Sequence, residues 1–138
     1  MAFIPSRVKY RKCQRGNMKG IAVTGSTVCF GEFGIKSLEN AWLTNTQLET
    51  CRVILARRLR RGGKMWIRVF PDKPVSKKPA EVRMGKGKGE VAKWVRVITR
   101  GTVIFEIGGL PEDYVKESFR QIVYKLPFRA SFVSRRKA

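Results

Sequence analysis

Apolar positions along the chain change period several times, and each change marks an element. Leu48, Cys51, Leu55 and Leu59 recur at three- and four-residue steps, the spacing that puts side chains on one helical face. Thr44 and Gln47 stand three apart just before this run, as in a capping box, so a helix is predicted from about Asn45 to Arg61, ended by Gly62 and Gly63. A second stripe, Val115, Phe119, Ile122, Val123 and Leu126, predicts a helix from Pro111 that Pro127 closes, with Glu112 and Asp113 at its positive end. Strand-like runs are Thr27 to Phe30, Phe33 to Leu38, Lys64 to Phe70, Val91 to Thr99, Thr102 to Ile107 and Phe128 to Ser134. The two residues Arg100 and Gly101 between the fourth and fifth runs suggest a hairpin. Two helices packed on one face of a mainly antiparallel sheet make an α+β sandwich.

Two stretches have neither period. Residues 1 to 20 carry six basic side chains, no acid, and Gly16 and Gly20 as breakers, the pattern of an extended arm. Residues 71 to 90 contain Pro74, Pro79, Gly85, Gly87 and Gly89 and read as one long loop. A structureless connection of about 20 residues is rare in a compact domain, and where present it is usually functional or disordered. Val75, Val82 and Met84 are its only large apolar residues, so it is expected to add nothing to the core. The organisation is therefore a basic arm (1–20), one α+β domain (21–134) holding the loop 71–90, and a basic tail (135–138).

Charge sharpens this picture. The 138 residues include 30 Lys or Arg, 10 Asp or Glu and no His, a net of +20 with 43% hydrophobic residues. A disordered cationic tail would be poorer in apolar residues, so a folded module with a polyanionic partner is implied. Residues 1–20, 52–64, 73–96 and 135–137 hold most of the 30 basic residues, and Glu81 and Glu90 are the only acids among them. The rest of the chain is close to neutral. Without His the usual general base and commonest metal ligand are missing. An enzyme would have to use groups such as Cys51, Asp72 or Glu81 without a paired-carboxylate motif, and no catalytic residue, metal site or cofactor is assigned. Cys13, Cys29 and Cys51 are an odd number at wide spacing, which argues against a disulfide framework and reads as small buried or half-buried thiols. The longest uncharged stretch, Gly20 to Gly31, is too short to span a membrane.

The basic segments supply the candidate contacts. In the loop, Lys73, Lys77, Lys78, Arg83, Met84, Gly85, Lys86, Gly87, Lys88 and Gly89 alternate cations with glycines that let backbone N–H groups approach phosphate. No Walker pattern is present, and a generic flexible Lys/Gly loop is the competing account. The arm offers Arg7, Lys9, Tyr10, Arg11, Lys12, Arg15 and Lys19, with Tyr10 able to stack on an unpaired base; a solvated tail would look the same. Arg57, Arg58, Arg60 and Arg61 close the first helix, where they also suit its dipole, and Lys64, Arg135 and Arg136 complete the set. Trp42, Trp66 and Trp94 read as core or half-core. Together these signals favour structured RNA or DNA as the partner.

Lys64-Met65-Trp66-Ile67-Arg68-Val69-Phe70-Pro71-Asp72-Lys73-Pro74, followed by Lys78-Pro79 and Arg83-Met84-Gly85-Lys86-Gly87-Lys88-Gly89, resembles the signature of the bacterial-type large-subunit ribosomal protein sixteen family. Pro5, Arg7, Tyr10, Arg11 and Lys12 resemble its basic N-terminal motif, Phe30-Gly31-Glu32-Phe33-Gly34 its aromatic-glycine turn, and Lys125-Leu126-Pro127 its last-helix exit. The resemblance covers nearly the whole chain, so the arm needs no explanation as a cleavable presequence. It implies an α+β sandwich that binds large-subunit rRNA below the central protuberance, supports late subunit assembly and positions aminoacyl-tRNA at the A site. Implied partners are that rRNA, A-site tRNA and neighbouring large-subunit proteins, with no membrane and no homo-oligomer. The implied location is a cytoplasmic bacterial ribosome or an organellar one. Arg83 matches an arginine hydroxylated in some members. The chain departs from the commoner pattern at Cys13, Cys29 and the run Leu38 to Leu43. A DNA-binding or translation-control role off the ribosome is the alternative.

Overall fold

A computed structural model of the chain describes residues 3–135, except the side chain of Arg61; of the basic tail, Arg136 and the two residues after it lie outside that range. Among the described residues the order is β1 (Phe33–Ser37), β2 (Ala41–Thr44), α1 (Asn45–Arg58), a 3-10 turn (Leu59–Arg61), β3 (Lys64–Ile67), β4 (Lys73–Ser76), β5 (Val91–Ile98), β6 (Val103–Gly108), α2 (Glu112–Val123) and β7 (Ala130–Ser134). The strands form two antiparallel sheets, β3-β6-β1-β7 and β2-β5-β4. This is the expected α+β sandwich, with the sheet divided in two.

Helix α1 begins where its cap predicts. Gln47 N–H donates to Thr44 Oγ1 at 3.3 Å, and Thr44 N–H donates to Gln47 Oε1 at 3.1 Å, so each satisfies a backbone donor the helix start leaves orphaned. Leu48, Cys51, Leu55 and Leu59 are buried, and Gly62, at φ 110°, ends the 3-10 turn in the left-handed region. Val115, Phe119 and Ile122 are the buried face of α2. α1 packs beside β2 and β5, α2 against β1 and β7, and the two helices touch each other. Ile35, Phe105 and Ile107 of the four-stranded sheet join these faces in one apolar cluster.

Four expectations are corrected. Thr27 to Phe30 is not a strand, because the N–H groups of Cys29 and Phe30 go to the Glu106 carboxylate instead of a neighbouring strand. Val91–Ile98 and Val103–Gly108 do not form a hairpin; they enter different sheets. At the corner between them Gly101 N–H donates to Ser37 O at 2.8 Å, Arg100 N–H to Asn40 Oδ1 at 2.6 Å, and Ala22 N–H to Arg100 O at 2.9 Å. These partners hold Arg100 and Gly101 outside either ladder.

The third correction concerns residues 71–90, which are not structureless. Lys73–Ser76 is a strand paired with β5, and Pro74 and Val75 are buried in it. The loop proper is 77–90, the long end of a β4–β5 hairpin closed by Lys77 N–H donating to Glu90 O at 3.0 Å. A proline at its second position hid the strand from a propensity reading, although an edge strand tolerates one.

Cysteine placement is the fourth. Only Cys51 is buried, and Cys13 and Cys29 are exposed. Burial pushes the Cys51 thiol up to about 11, against a small opposing effect of Lys125. A thiol reagent at pH 8 is therefore expected to label Cys13 and Cys29 in the native protein and Cys51 only after denaturant is added. Mass spectrometry of the native reaction reads this directly, and rapid labelling of all three would contradict the packing around Cys51.

Candidate nucleic-acid interface

Residues 3 to 20 contain no helix or strand, and every side chain from Ser6 to Gly20 is exposed. The accessible surface of the chain, 9674 Å², accordingly exceeds the roughly 7,300 Å² of a compact protein of this mass. The arm is nevertheless docked. Lys12 Nζ donates to Lys88 O at 3.1 Å, Lys88 Nζ donates to Cys13 O at 2.7 Å, and Lys73 Nζ donates to Arg15 O. Asn40 Nδ2 holds Met18 O at 3.3 Å. The chain start thus runs along the hairpin that carries the loop.

This docking brings arm and loop cations together. Arg15, Lys73, Lys77, Lys78 and Lys88 line a cavity of about 290 Å³ whose walls include no carboxylate. An adjoining hollow of about 670 Å³ has Tyr10, Lys12 and Arg96 on its walls, with Asp72 as its one acid, paired to Arg96 at 3.1 Å. Lys73 Nζ also sits 5.4 Å from the centre of the Trp42 ring, a cation–π contact that fixes the lysine over β2. Tyr10 is 75% exposed, with Lys9 Nζ 5.7 Å from its ring centre. Arg7, Arg11 and Lys19 are exposed along the arm.

At the loop tip Gly85, Lys86 and Gly87 have φ of 103°, 60° and 103°. Lys86 is the one non-glycine with positive φ among the described residues, a conformation L side chains rarely adopt and one that concentrates at functional sites. Lys78 Nζ donates to Gly85 O and braces the turn. Arg83, Met84 and Lys86 are exposed around it, Met84 being 93% exposed, while Lys88, also exposed, reaches back to the arm. Gly89 is half-buried at the neck.

The remaining candidates gather elsewhere. Arg57, Arg60 and Lys64 are exposed, and Lys64 shares a cavity with Arg135 at one end of the four-stranded sheet. Arg58 is half-buried between the helices: its Nε donates to Ser118 Oγ at 2.9 Å, its guanidinium lies 5.0 Å from the centre of the Tyr114 ring, and Glu117 is 3.4 Å away. It joins α1 to α2, whereas Arg57 and Arg60 are open to a ligand. Trp42, Trp66 and Trp94 are all half-buried, as expected.

Two features escaped the sequence reading. The first is Glu106, fully buried, whose Oε2 accepts from Phe30 N–H at 2.7 Å and Gly31 N–H at 2.8 Å. Its Oε1 accepts from Cys29 N–H at 3.2 Å and from the Arg68 guanidinium. Burial pushes this carboxyl up, but the N–H of Gly31, the Arg68 guanidinium and the N–H groups of Cys29 and Phe30 outweigh it and hold it below the ordinary range. The second is the ring cluster this carboxylate positions: Phe30 is stacked with Trp66 at 6.5 Å and 20°, and Arg68 lies 5.2 Å from the centre of the Phe30 ring. One acid inside the apolar run Val103-Ile104-Phe105-Glu106-Ile107 was the available signal, since a buried strand carries a charge only with partners.

A nearly neutral sandwich whose cations stand on extended segments, five of them around one cavity without a carboxylate, has the surface of a protein that meets a polyanion. Residues 5–133 match the family model of ribosomal protein L16p/L10e, and the chain belongs to that family. It is 52% identical over 137 residues to large ribosomal subunit protein uL16 of Methylacidiphilum infernorum, covering 99% of this chain and 96% of the relative. Against the uL16 of Heliobacterium modesticaldum it is 49% identical over 132 residues, covering 96% and 92%. The protein is a structural, non-enzymatic constituent of the large ribosomal subunit. No helix among the described residues is long and apolar enough to cross a membrane.

Proposed function

We propose that the chain binds large-subunit rRNA below the central protuberance, supports late subunit assembly, and positions aminoacyl-tRNA at the A site near the peptidyl transferase centre. The observation that carries this reading is the meeting of arm and loop, where Arg15, Lys73, Lys77, Lys78 and Lys88 line one cavity without a carboxylate. Five such cations repel one another unless a polyanion threads between them. The sandwich is the mount; the arm, the exposed Arg57 and Arg60 where the first helix ends, and the loop are the clamp. The strained and fully exposed tip around Arg83 and Lys86 is the part assigned to tRNA. Recognition rests on RNA shape and phosphate position more than on base identity. Neighbouring large-subunit proteins meet the remaining surface, and the ribosome concerned is a cytoplasmic bacterial one or an organellar one.

If roughly ten cations touch phosphates, affinity for the isolated rRNA target should fall with salt at a log–log slope of about −7 to −9. Filter binding or fluorescence anisotropy across 50–300 mM salt, roughly the range where counterion release dominates, measures it. A slope shallower than about −3 leaves too few phosphate contacts for a clamp. Sedimentation tests the ribosomal setting: the protein should travel with large subunits at moderate salt and leave only at high salt.

A further inference from the structure

We propose that the end of the four-stranded sheet formed by Phe30, Trp66, Lys64 and Arg135 is a second RNA site, one that holds a single unpaired nucleotide by stacking. The proposal deepens the RNA-binding reading above and rests on it, but it concerns residues remote from the arm and loop.

The strand order brings the site together. In the order β3-β6-β1-β7, Lys64 pairs with Gly108, Phe33 with Ile107, and Phe33 again with Ser134, so the start of β3, the end of β6, the start of β1 and the end of β7 share one end of the sheet. Lys64 and Arg135 flank that end from its two edges, about 14 Å apart at ~4.8 Å per strand. Between them lies a cavity of about 340 Å³, lined also by Phe30, Trp66 and the backbone of Gly108 and Gly109. That volume lies within the ~300–1,000 Å³ range of small-ligand clefts.

Phe30 is what makes the cavity a stacking site. Phe30 is 60% exposed as a residue, yet its backbone is pinned through N–H bonds from Phe30 and Gly31 to the buried Glu106 carboxylate. A Cβ on Gly31 would lie 2.7 Å from Ile107 O, so only glycine lets the backbone approach β6 this closely. An exposed aromatic normally costs ordering entropy when it binds; this one is fixed beforehand by the Trp66 ring stacked with it and by Arg68 against its ring. Aromatic faces and guanidinium planes are the surfaces on which unpaired bases stack. Cations on both edges give the flanking phosphates partners, and Glu32 on the cavity wall keeps phosphate away from its centre.

The test uses the full chain and two short RNA hairpins, one uninterrupted and one with a single bulged 2-aminopurine. Wild-type protein should quench the bulged fluorophore and bind that hairpin more tightly than the uninterrupted one. Phe30→Ala should lower affinity for the bulged hairpin roughly tenfold with the salt slope unchanged, and Phe30→Trp should restore both quenching and affinity. Arg135→Ala should instead make the slope shallower by about 0.7 to 0.9. Circular dichroism melts of each variant check that the fold persists. If wild type binds both hairpins alike and without quenching, the stacking site is wrong while the RNA clamp stands. If wild type binds neither hairpin, both readings fall. If Phe30→Ala weakens both hairpins equally, Phe30 supports the fold and does not stack on a base.

Discussion

Replacing Glu106 by alanine is expected to destabilise the protein by about 3–5 kcal/mol, the usual cost of removing one partner from a buried ion pair. The change strands the N–H groups of Cys29, Phe30 and Gly31 and takes from the Arg68 guanidinium its counter-charge, leaving it only the Thr27 carbonyl among its hydrogen-bond acceptors. Glu106→Gln should cost less, because one acceptor oxygen survives. Urea unfolding at pH 7 measures both, and a loss under about 1 kcal/mol for alanine would show that the turn is held by something else. The pH dependence has a definite sign. The folded-state pKa is depressed, so the stabilisation is complete above the unfolded glutamate value of about 4.3 and disappears as pH falls through the folded value. Wild type should therefore lose its advantage over Glu106→Gln on acidification below about pH 4.3, and the difference between the two isolates this carboxyl from Glu39 and Glu49, which are also held low.

Cutting the loop separates binding from folding, provided the cut respects β4. Removing residues 79–88 and closing the gap with a short Gly/Ser link is expected to change stability by no more than about 0.5 kcal/mol, because every side chain in that span is exposed. It takes away Arg83, Lys86 and Lys88, so the log–log salt slope for rRNA should become shallower by about 2 to 3. A deletion that starts at Lys73 is different: it removes the edge strand of the three-stranded sheet with its buried Pro74 and Val75, and the fold should melt early. If the shorter deletion melts as early as the longer one, the tip packs on the body in a way its exposure denies.

That contrast shows where the sequence was legible. Both helices were, because Leu48, Cys51, Leu55 and Leu59 and then Val115, Phe119 and Ile122 repeat often enough to fix a face, and Thr44 with Gln47 fixes a start. Two strands of four residues, Ala41–Thr44 and Lys73–Ser76, were not, being shorter than a period-two pattern needs to stand out; Lys64–Ile67, equally short, was read as part of the longer run Lys64 to Phe70. Nor could local pattern show that β5 and β6, two residues of turn apart in reading, part company at Arg100; the partners that separate them, Ser37, Asn40 and Ala22, are far away in the chain. Charge clustering found the arm and loop but not their contact, which depends on lysines donating to carbonyls. It also grouped Arg58 with its neighbours, although Ser118, Glu117 and Tyr114 already engage it.

A ribosomal protein exists for a time without its RNA, and then its exposed sheet edges are templates on which copies could add strand to strand. β4 is such an edge, flanked by the docked arm rather than by a strand, and Pro74 has no N–H with which to bond another chain. Lys73 and Lys77 at its ends bring charge that would meet the same charge on an incoming copy. The strand that carries the loop is thus poorly suited to self-association, and the residues that hold the free chain apart from its copies are among those proposed to meet phosphate in the assembled subunit.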